Sequence, residues 1–301
     1  MLIVLSGFKS LIMCLLVALG VGFFTLLERK ILSYIQLRKG PNKVGFMGLP
    51  QPLADAAKLF TKENLKVNLS MKMPYMLAPV MAMFIMFCLW FLYGSLSGIS
   101  LFKLGILFFL AVSSLNVFTI LVSGWSSNSK YALLGSIRAI AQTISYEVSM
   151  ALTLIILLMF IYSFDLYDCH KFLFGLTMPI MFILWIITCL SETNRAPFDL
   201  AEGESELVSG FNIEYGASEF AFLFIAEYGS ILFMSSLSCI LFIGGMMGNL
   251  GLLVLEWLFF SVIFLWVRGT LPRMRYDFLM SLTWKSFLSL VLGLCLIVMC
   301  L

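Results

Sequence analysis

Carboxyl groups are concentrated in one polar segment of this chain, residues 192–214. The segment contains six of the 16 acidic residues, although charged residues make up only 12% of the sequence. The acids are Glu192, Asp199, Glu202, Glu204, Glu206 and Glu214, and a single base, Arg195, lies among them. Carboxylates crowded against a medium of low dielectric constant disfavour one another's ionisation and titrate as a coupled group. The segment is therefore a candidate proton-responsive element.

Two further carboxyls, Glu147 and Glu227, lie inside apolar stretches that are long enough to cross a membrane. Glu147 follows Arg138 by nine residues, or about 13 Å along a helix, which places it near the middle of the membrane. Each of the two acids is followed or preceded by a tyrosine, Tyr228 or Tyr146. Because a charge at such depth costs several kcal/mol, a functional role is favoured over a structural one.

We expect these acids to act together in proton transfer. Glu202, Glu204 and Glu206 are two residues apart, so an extended backbone places all three on one face, whereas a helix aligns only the first with the third. In either case protonation of one carboxylate changes the proton affinity of its neighbours, so the acids take up and release protons as a coupled group. The structural alternative is that the acids only form salt bridges with Arg195, Arg268 and partner chains. The predicted network comprises Glu147, Glu192, Glu202, Glu204, Glu206, Glu214 and Glu227, with Tyr146 and Tyr228 as hydrogen-bonding neighbours.

Membrane helices must position these groups, because the chain is 61% hydrophobic with a mean hydropathy of +1.04. Spanning a bilayer takes roughly 17–25 apolar residues. Eight runs of this kind cover about 4–27, 75–94, 104–123, 139–162, 172–190, 220–244, 250–267 and 284–301. Two long connections, 28–74 and 191–219, leave no room for a separate soluble domain. The sequence therefore predicts an all-α integral membrane protein with one polytopic domain, 1–301.

Charge is distributed unevenly over the connections between these runs. If the runs cross the membrane alternately, 16 of the 19 Lys and Arg residues lie on one side and only Lys9, Lys103 and Lys171 on the other. By the positive-inside rule the richer side faces the cytoplasm or the mitochondrial matrix, and both termini lie opposite. A basic hinge, 266–277, shares the richer side with the acidic segment. It is placed to pair with those acids or to polarise a ligand carbonyl.

A short amphipathic helix is predicted in the first long connection, from Pro52 to Lys62. Proline at the first turn favours its start. Such a helix lies in the membrane interface with its apolar side toward lipid or a lipid-like ligand. At about three turns it is marginal alone, so it needs a packing partner. Its apolar face comprises Leu53, Ala56, Ala57 and Phe60, whereas Asp55, Lys58 and Lys62 face elsewhere.

Motifs for a resident cofactor are missing from the sequence. The seven cysteines contain no Cys-x-x-Cys pair and are interpreted as small buried hydrophobic residues. The single His170 is a poor candidate for a metal ligand, and no glycine-rich phosphate loop or nucleotide fingerprint is present. We therefore expect no metal site and no redox group on this chain, so electrons for any redox chemistry are carried by another chain.

Several long motifs together carry a family resemblance that runs nearly from end to end. They are Leu27–Lys30, Arg38–Asn42, Gln51–Phe60, Gly124–Ser129, Ala141–Glu147, the 192–214 segment, Phe220–Tyr228 and Val267–Asp277. On these motifs the chain resembles the subunit 1 family of NADH:ubiquinone oxidoreductase, respiratory complex I, in its animal, mitochondrially encoded form. Glu256 departs from the pattern, since it belongs to none of the motifs.

The resemblance implies a membrane subunit of the mitochondrial inner membrane that lines a ubiquinone tunnel and begins a chain of carboxylates coupling quinone reduction to proton pumping. Ubiquinone is then the substrate, and iron–sulfur clusters, FMN and NADH are bound by partner subunits. The partners would be peripheral subunits at the quinone site and small membrane subunits leading to antiporter-like ones. The residues implied along the quinone path are Arg29, Arg38, Asp55, Lys58, Phe60, Arg195, Asp199, Phe220, Phe224, Arg268 and Arg273.

Two alternatives remain at the level of the residues alone. A free-standing cation/proton transporter also uses buried glutamates, and would be active by itself in liposomes, whereas a complex I subunit would be inert without its partners. A purely structural anchor for a peripheral arm is the third interpretation, but it leaves Glu147 and Glu227 without a purpose.

The charge distribution predicts which side each connection faces. Single cysteines introduced at Lys43 and Lys103 are expected to react with an impermeant thiol reagent from opposite sides: the first from the matrix side and the second from the intermembrane space. Labelling of both from one side contradicts this topology.

Overall fold

A computed structural model of the protein describes residues 2–64, 70–93, 103–169, 173–200, 203, 210–244 and 250–300. Within these ranges the chain forms helices joined by turns and loops. A short 3-10 turn occurs at Gly210–Asn212, and single π-helical turns occur at Cys239–Ile243 and Leu282–Phe287. The helices are α1 Leu2–Ile35, α2 Gln51–Thr61, α3 Lys72–Trp90, α4 Gly105–Ser126, α5 Lys130–Ile161, α6 Leu166–Cys169, α7 Phe174–Thr177, α8 Pro179–Glu192, α9 Ala217–Ile243, α10 Leu250–Thr270 and α11 Tyr276–Cys300.

The helices confirm the predicted all-α membrane fold. In the described ranges, seven helices are long and apolar enough to cross a membrane, namely α1, α3, α4, α5, α9, α10 and α11. The remaining predicted run, 172–190, which is the fifth in the chain, corresponds to α8, which has 14 residues and starts at Pro179. At 1.5 Å per residue α8 is about 21 Å long, shorter than a hydrocarbon core of about 30 Å.

Two helices continue well beyond the apolar runs that predicted them. The first run ends near residue 27, but α1 continues through Glu28 and Arg29 to Ile35. The last run begins near residue 284, but α11 starts at Tyr276. Apolar runs mark the part of a helix that meets lipid, whereas Glu, Arg and Lys propagate a helix in water nearly as well as Leu does. As a result Glu28 is carried by a helix and not by a loop.

Helices α5 and α9 organise the packing. Helix α5 contacts α4, α8 and α11, and α9 contacts α1, α2, α3 and α10. The largest fully buried side chains include Trp185, Tyr146 and Phe233. The 3-10 turn lies directly on α5, because a Cβ added at Gly135 would lie 2.9 Å from the Cα of Gly210. Glycine at both positions permits this approach, which brings the end of the acidic segment back to the helix bundle.

The predicted interfacial helix is present as α2. Pro52 lies in its first turn, and none of its residues is buried. Its apolar side chains Leu53 and Phe60 are 57% and 51% exposed, and the helix packs against α1 and α9. The predicted need for a packing partner is therefore met by two helices, and the apolar edge remains open to lipid.

Candidate functional site

A buried carboxylate, Glu28, joins three separate parts of the chain. It is 3% exposed, and the Arg268 guanidinium at the end of α10 donates a hydrogen bond to its Oε1. The Nη1 atom of Arg195, just after α8, lies 3.6 Å from the same oxygen. The sequence assigned no role to Glu28 and suggested acids of the 192–214 segment as partners of both arginines. Pairing with Glu202, Glu204 or Glu206 stays a prediction, because these residues lie outside the described ranges. The carboxylate that both arginines are seen to share comes from α1.

The basic hinge does pair with the acidic segment at one place. Arg273 Nη2 lies 3.1 Å from Asp199 Oδ2, and the backbone N–H of Met274 donates to the carbonyl of Pro197 over 3.0 Å. These two bonds confirm that the two connections lie on the same side of the helix bundle. They also hold the turn after α8 against the start of α11.

An aromatic row runs along α9 next to this charged cluster. The ring centroids of Phe220 and Phe224 are 4.7 Å apart, and those of Phe224 and Tyr228 are 5.4 Å apart. Phe24 of α1 meets the Tyr228 ring edge-on at 6.0 Å. The Arg195 guanidinium carbon is 4.3 Å from the centre of the Tyr228 ring, within the range of a cation–π contact. Arg195 therefore links the ion pairs to the aromatic row.

Helix α2 lies at the outer edge of this arrangement. Arg29 Nη2 and Asp55 Oδ2 are 2.7 Å apart, with both side chains about a third to a half exposed. Gln51 Nε2 donates to Asp55 Oδ1 over 3.0 Å. The Phe60 ring lies 6.0 Å from that of Phe222 on α9. Three predicted quinone-path residues are thus gathered where α1, α2 and α9 pack together, a junction called the groove from here on.

Two predicted quinone-path residues lie apart from the buried cluster. Lys58 is exposed on α2. Arg38, which follows α1, donates its Nε–H to Gln36 Oε1 over 3.0 Å. Within the part of the chain that the structure describes, neither residue forms an ion pair. Both are accordingly available at the surface, where a membrane or a partner subunit can meet them.

A cavity with about 780 Å³ of space, including its open mouth, lies between α3, α4, α8 and α9. Glu192, the last residue of α8, and Glu227 of α9 both line it. Glu192 is buried, and its Oε2 has no hydrogen-bond partner among the described residues. Glu147 on α5 is close enough to Glu192 for their charges to repel. Three of the predicted proton-coupling acids are therefore neighbours, and Glu192 belongs to a helix and not to a loop.

Polar residues of α4 also face this cavity, which the sequence did not predict. Ser113, Asn116 and Thr119 lie on one helical face at i, i+3 and i+6 and line the cavity opposite Glu192 and Glu227. The available signal was their occurrence within a run of otherwise apolar residues. The spacing of these three residues within α4 could be seen in the sequence. The carboxyls with which they share the cavity, however, belong to helices far along the chain.

Gln142 is a second residue whose role the sequence did not reveal. It is fully buried on α5, and its Nε2 donates to the carbonyls of Ser191, at 3.0 Å, and Phe198, at 2.7 Å. It therefore fixes both sides of the turn after α8. One turn further on, the Tyr146 ring packs 5.7 Å from the Phe198 ring, and its hydroxyl has no hydrogen-bond partner among the described residues.

Glu214 lies outside the cavity, in the connection that leads into α9. The Tyr75 hydroxyl donates to its backbone carbonyl, and the Tyr215 hydroxyl donates to the carbonyl of Tyr75 over 3.2 Å. The two tyrosine rings stack with centroids 4.3 Å apart. Burial raises the pKa of Tyr215, so this hydroxyl remains a donor at any physiological pH. The predicted residues Glu202, Glu204 and Glu206 lie outside the described residues.

Fold and site together define a class of protein: a polytopic, all-α membrane protein with a cluster of ion pairs and aromatic rings, and a cavity lined by carboxyl groups beside it. The family model described as NADH dehydrogenase matches residues 8–299. The chain belongs to this family.

Relatives from distant animal groups are similar over almost the whole chain. NADH-ubiquinone oxidoreductase chain 1 of the mosquito Anopheles gambiae is 53% identical over 292 residues, which cover 94% of this chain and 91% of the relative. The chain 1 proteins of Heterololigo bleekeri and Dasypus novemcinctus are 52% and 51% identical, covering 95% and 93% of this chain and 94% and 92% of their own lengths. The resemblance found in the motifs is thereby confirmed.

We expect Glu28 to be a principal source of stability at this surface. The substitution Glu28→Gln leaves Arg195 and Arg268 close together without their counter-charge. Breaking a buried ion pair by removing one partner costs about 3–5 kcal/mol, so the temperature at which the chain aggregates in native membranes should fall clearly.

The matched control for Glu28 is Asp277→Asn, which removes the carboxylate from an exposed pair with Arg275. Exposed pairs contribute roughly 0.2–1 kcal/mol, so this variant should behave like the parent chain. Equal aggregation temperatures for the two variants would contradict the central role of Glu28.

Proposed function

We propose that this chain is a membrane subunit of a proton-translocating NADH:ubiquinone oxidoreductase. In this role it forms the membrane part of the ubiquinone tunnel and couples quinone reduction to proton translocation. The chain binds no redox cofactor of its own, since FMN, NADH and the iron–sulfur clusters belong to partner subunits. It resides in the mitochondrial inner membrane with both termini toward the intermembrane space. Family membership and the names of its relatives support the assignment to the complex.

The groove between α1, α2 and α9 supports a quinone path. Its lipid-facing edge carries exposed apolar side chains such as Leu53 and Phe60, so an isoprenoid tail can enter sideways from the bilayer. Further in, the aromatic row ends at Tyr228 beneath Arg195. An apolar channel with a few convergent polar groups is the usual composition of a small-molecule site. The tail would then contact the phenylalanines, and the head group would approach the arginines.

One observation carries the coupling proposal: Glu227 and Tyr228 are consecutive on α9 and face different sites. Tyr228 contacts Phe24, Phe224 and Arg195 in the groove, whereas Glu227 lines the cavity that contains Glu192. Successive residues of a helix point about 100° apart, so one rigid turn borders both sites. Any change in charge or position at the tyrosine is therefore felt at the carboxyl.

The proposed order of events in coupling follows from the charge that develops on the quinone. Quinone reduction to quinol takes up two electrons from the partner subunits and two protons. Negative charge that develops on the head group before it is protonated attracts Arg195 and the other cations of the groove. That attraction competes with the bond to Glu28 and alters the electrostatic potential at Glu227 and Glu192. Because coupled carboxyls respond together, a proton taken up at one shifts the equilibrium of the next, toward Glu147.

Phe224→Ala tests the quinone path. Phe224 is partly buried, so losing its ring removes at most about 1.5–3 kcal/mol of apolar contact. The KM for a short-chain ubiquinone should therefore rise roughly tenfold in the assembled complex. The matched control is Phe118→Ala, because Phe118 is exposed on α4 away from the groove. An unchanged KM and unchanged inhibitor sensitivity in Phe224→Ala would remove the aromatic row from the path.

Glu227→Gln tests the coupling role. The substitution preserves shape and hydrogen bonding but removes the titrating proton, so assembly should persist while quinone reduction and proton pumping both fall, by roughly a hundredfold if the carboxyl transfers a proton in the rate-limiting step. The control is Glu256→Gln, because Glu256 accepts a hydrogen bond from Cys239 Sγ on the far part of α9 and lies outside the cavity. Full turnover with full pumping in Glu227→Gln would leave only the structural interpretation.

A free-standing transporter makes the opposite prediction in reconstitution. The isolated chain in liposomes should be inert if it acts as a subunit, whereas cation-dependent proton movement by the chain alone would favour the transporter. This comparison is valid if the assembled complex, reconstituted in parallel, pumps protons.

A further inference from the structure

The middle of α4 carries polar side chains at a depth where polarity is costly. Asn116 lies near the centre of this 22-residue helix, and it lines the cavity together with Ser113 and Thr119. A polar side chain in the membrane interior is stable where it meets other polar groups or a water-filled space. The lipid-exposed residues of the same helix, such as Leu115 and Phe118, are apolar. The polar face of α4 is therefore directed to the cavity.

The hydrogen bonds inside the protein leave polar atoms at this cavity unsatisfied. Glu192 Oε2 and Asn194 Oδ1 are buried without a hydrogen-bond partner among the described residues, and both residues line the cavity. An unsatisfied buried acceptor costs about 1–3 kcal/mol. Water in a polar cavity of sufficient size removes that cost, since each molecule makes about three hydrogen bonds. The orphaned acceptors thus point to a hydrated cavity.

Asn116 is held in a defined orientation. The Thr119 hydroxyl lies 3.1 Å from Asn116 Oδ1 and donates to the Asn116 backbone carbonyl over 2.7 Å. Because the Thr119 hydroxyl contacts the carboxamide oxygen, the NH₂ group of Asn116 is left to face the polar part of the cavity. A carboxamide donates and accepts hydrogen bonds but does not titrate, so it can orient water without itself exchanging a proton.

We propose that the cavity holds a chain of ordered water between Glu192 and Glu227, and that Asn116 is the positioning residue that orients it. This rests on the proposed coupling function and deepens it, because it names the group that lets protons pass between two carboxyls on different helices. The side chains of Met86, Phe109 and Leu223 form apolar walls that confine the water to the polar face of α4. Asn116 makes no contact with quinone in this scheme.

The test uses the assembled complex with Asn116→Leu, which removes the amide and retains similar bulk. The rate of quinone reduction under coupled conditions should fall roughly tenfold, the factor expected from one lost hydrogen bond to a charged or coupled group. The KM for ubiquinone should not change, because the groove is intact, and the solvent deuterium isotope effect should increase. The matched control is Ser114→Ala, since Ser114 is partly exposed on the same helix, two residues from Asn116, and does not line the cavity.

A second pair of variants decides the case if Asn116→Leu does not assemble. Asn116→Ser keeps a hydroxyl and space for one more water, whereas Asn116→Ala keeps only the space. Near-normal pumping in the first and a roughly tenfold loss in the second support a positioning role. Equal activities in the two overturn it, as does a normal rate in an assembled Asn116→Leu complex.

Failure of this inference is distinguishable from failure of the coupling function. If Glu227→Gln is impaired but the Asn116 variants are normal, protons reach Glu227 without Asn116 and only the inference is wrong. If Glu227→Gln itself is fully active, the coupling function is wrong and the role of Asn116 falls with it.

Discussion

The buried carboxylate of Glu28 is the constraint on which the membrane-surface face of this protein depends. A charge that is 3% exposed cannot remain unpaired beside a low-dielectric bundle. Its partners, Arg195 and Arg268, come from two other parts of the chain. The three segments must therefore meet wherever the protein is folded, and the meeting point fixes the ends of α1, α8 and α10 relative to one another. Once they are fixed, Arg195 can lie against Tyr228.

This anchored centre contrasts with the periphery of the groove. Helix α2 has no buried residue and is joined to α1 by a partly exposed ion pair, Arg29 with Asp55, which contributes far less than a buried one. The groove thus has a firmly held inner wall, at Glu28 and its arginines, and a weakly held outer edge, at α2. The proposed quinone path would need both features, a loosely held edge where an apolar ligand enters from lipid and a firm wall at its charged end.

The cavity lies next to the groove because the two sites share a helix. Helix α9 borders both sites, and its neighbours α3 and α4 close the cavity on the other side. Apolar residues form the larger part of the cavity lining, and its polar groups include Glu192, Asn194, Glu227 and the polar face of α4. In the function proposed above, separating the aromatic row from the carboxyls by the width of one helix would keep quinone and protons apart while leaving them electrostatically connected.

By itself, the sequence determined the features that depend on local composition. Apolar length predicted the spans, the periodicity from Pro52 to Lys62 predicted α2, and the uneven charge predicted that the acidic segment and the basic hinge share one side, as the bond between Asp199 and Arg273 confirms. Acids within apolar runs, such as Glu227, stood out because ionisable residues are rare there. Only the tertiary structure decided which charges pair, that α1 carries Glu28 beyond the hydrocarbon, and that α4 faces the carboxyls. Those outcomes depend on contacts between residues far apart in the chain, and hydropathy, which reports only whether a side chain meets lipid, contains no information about which distant side chain it will meet.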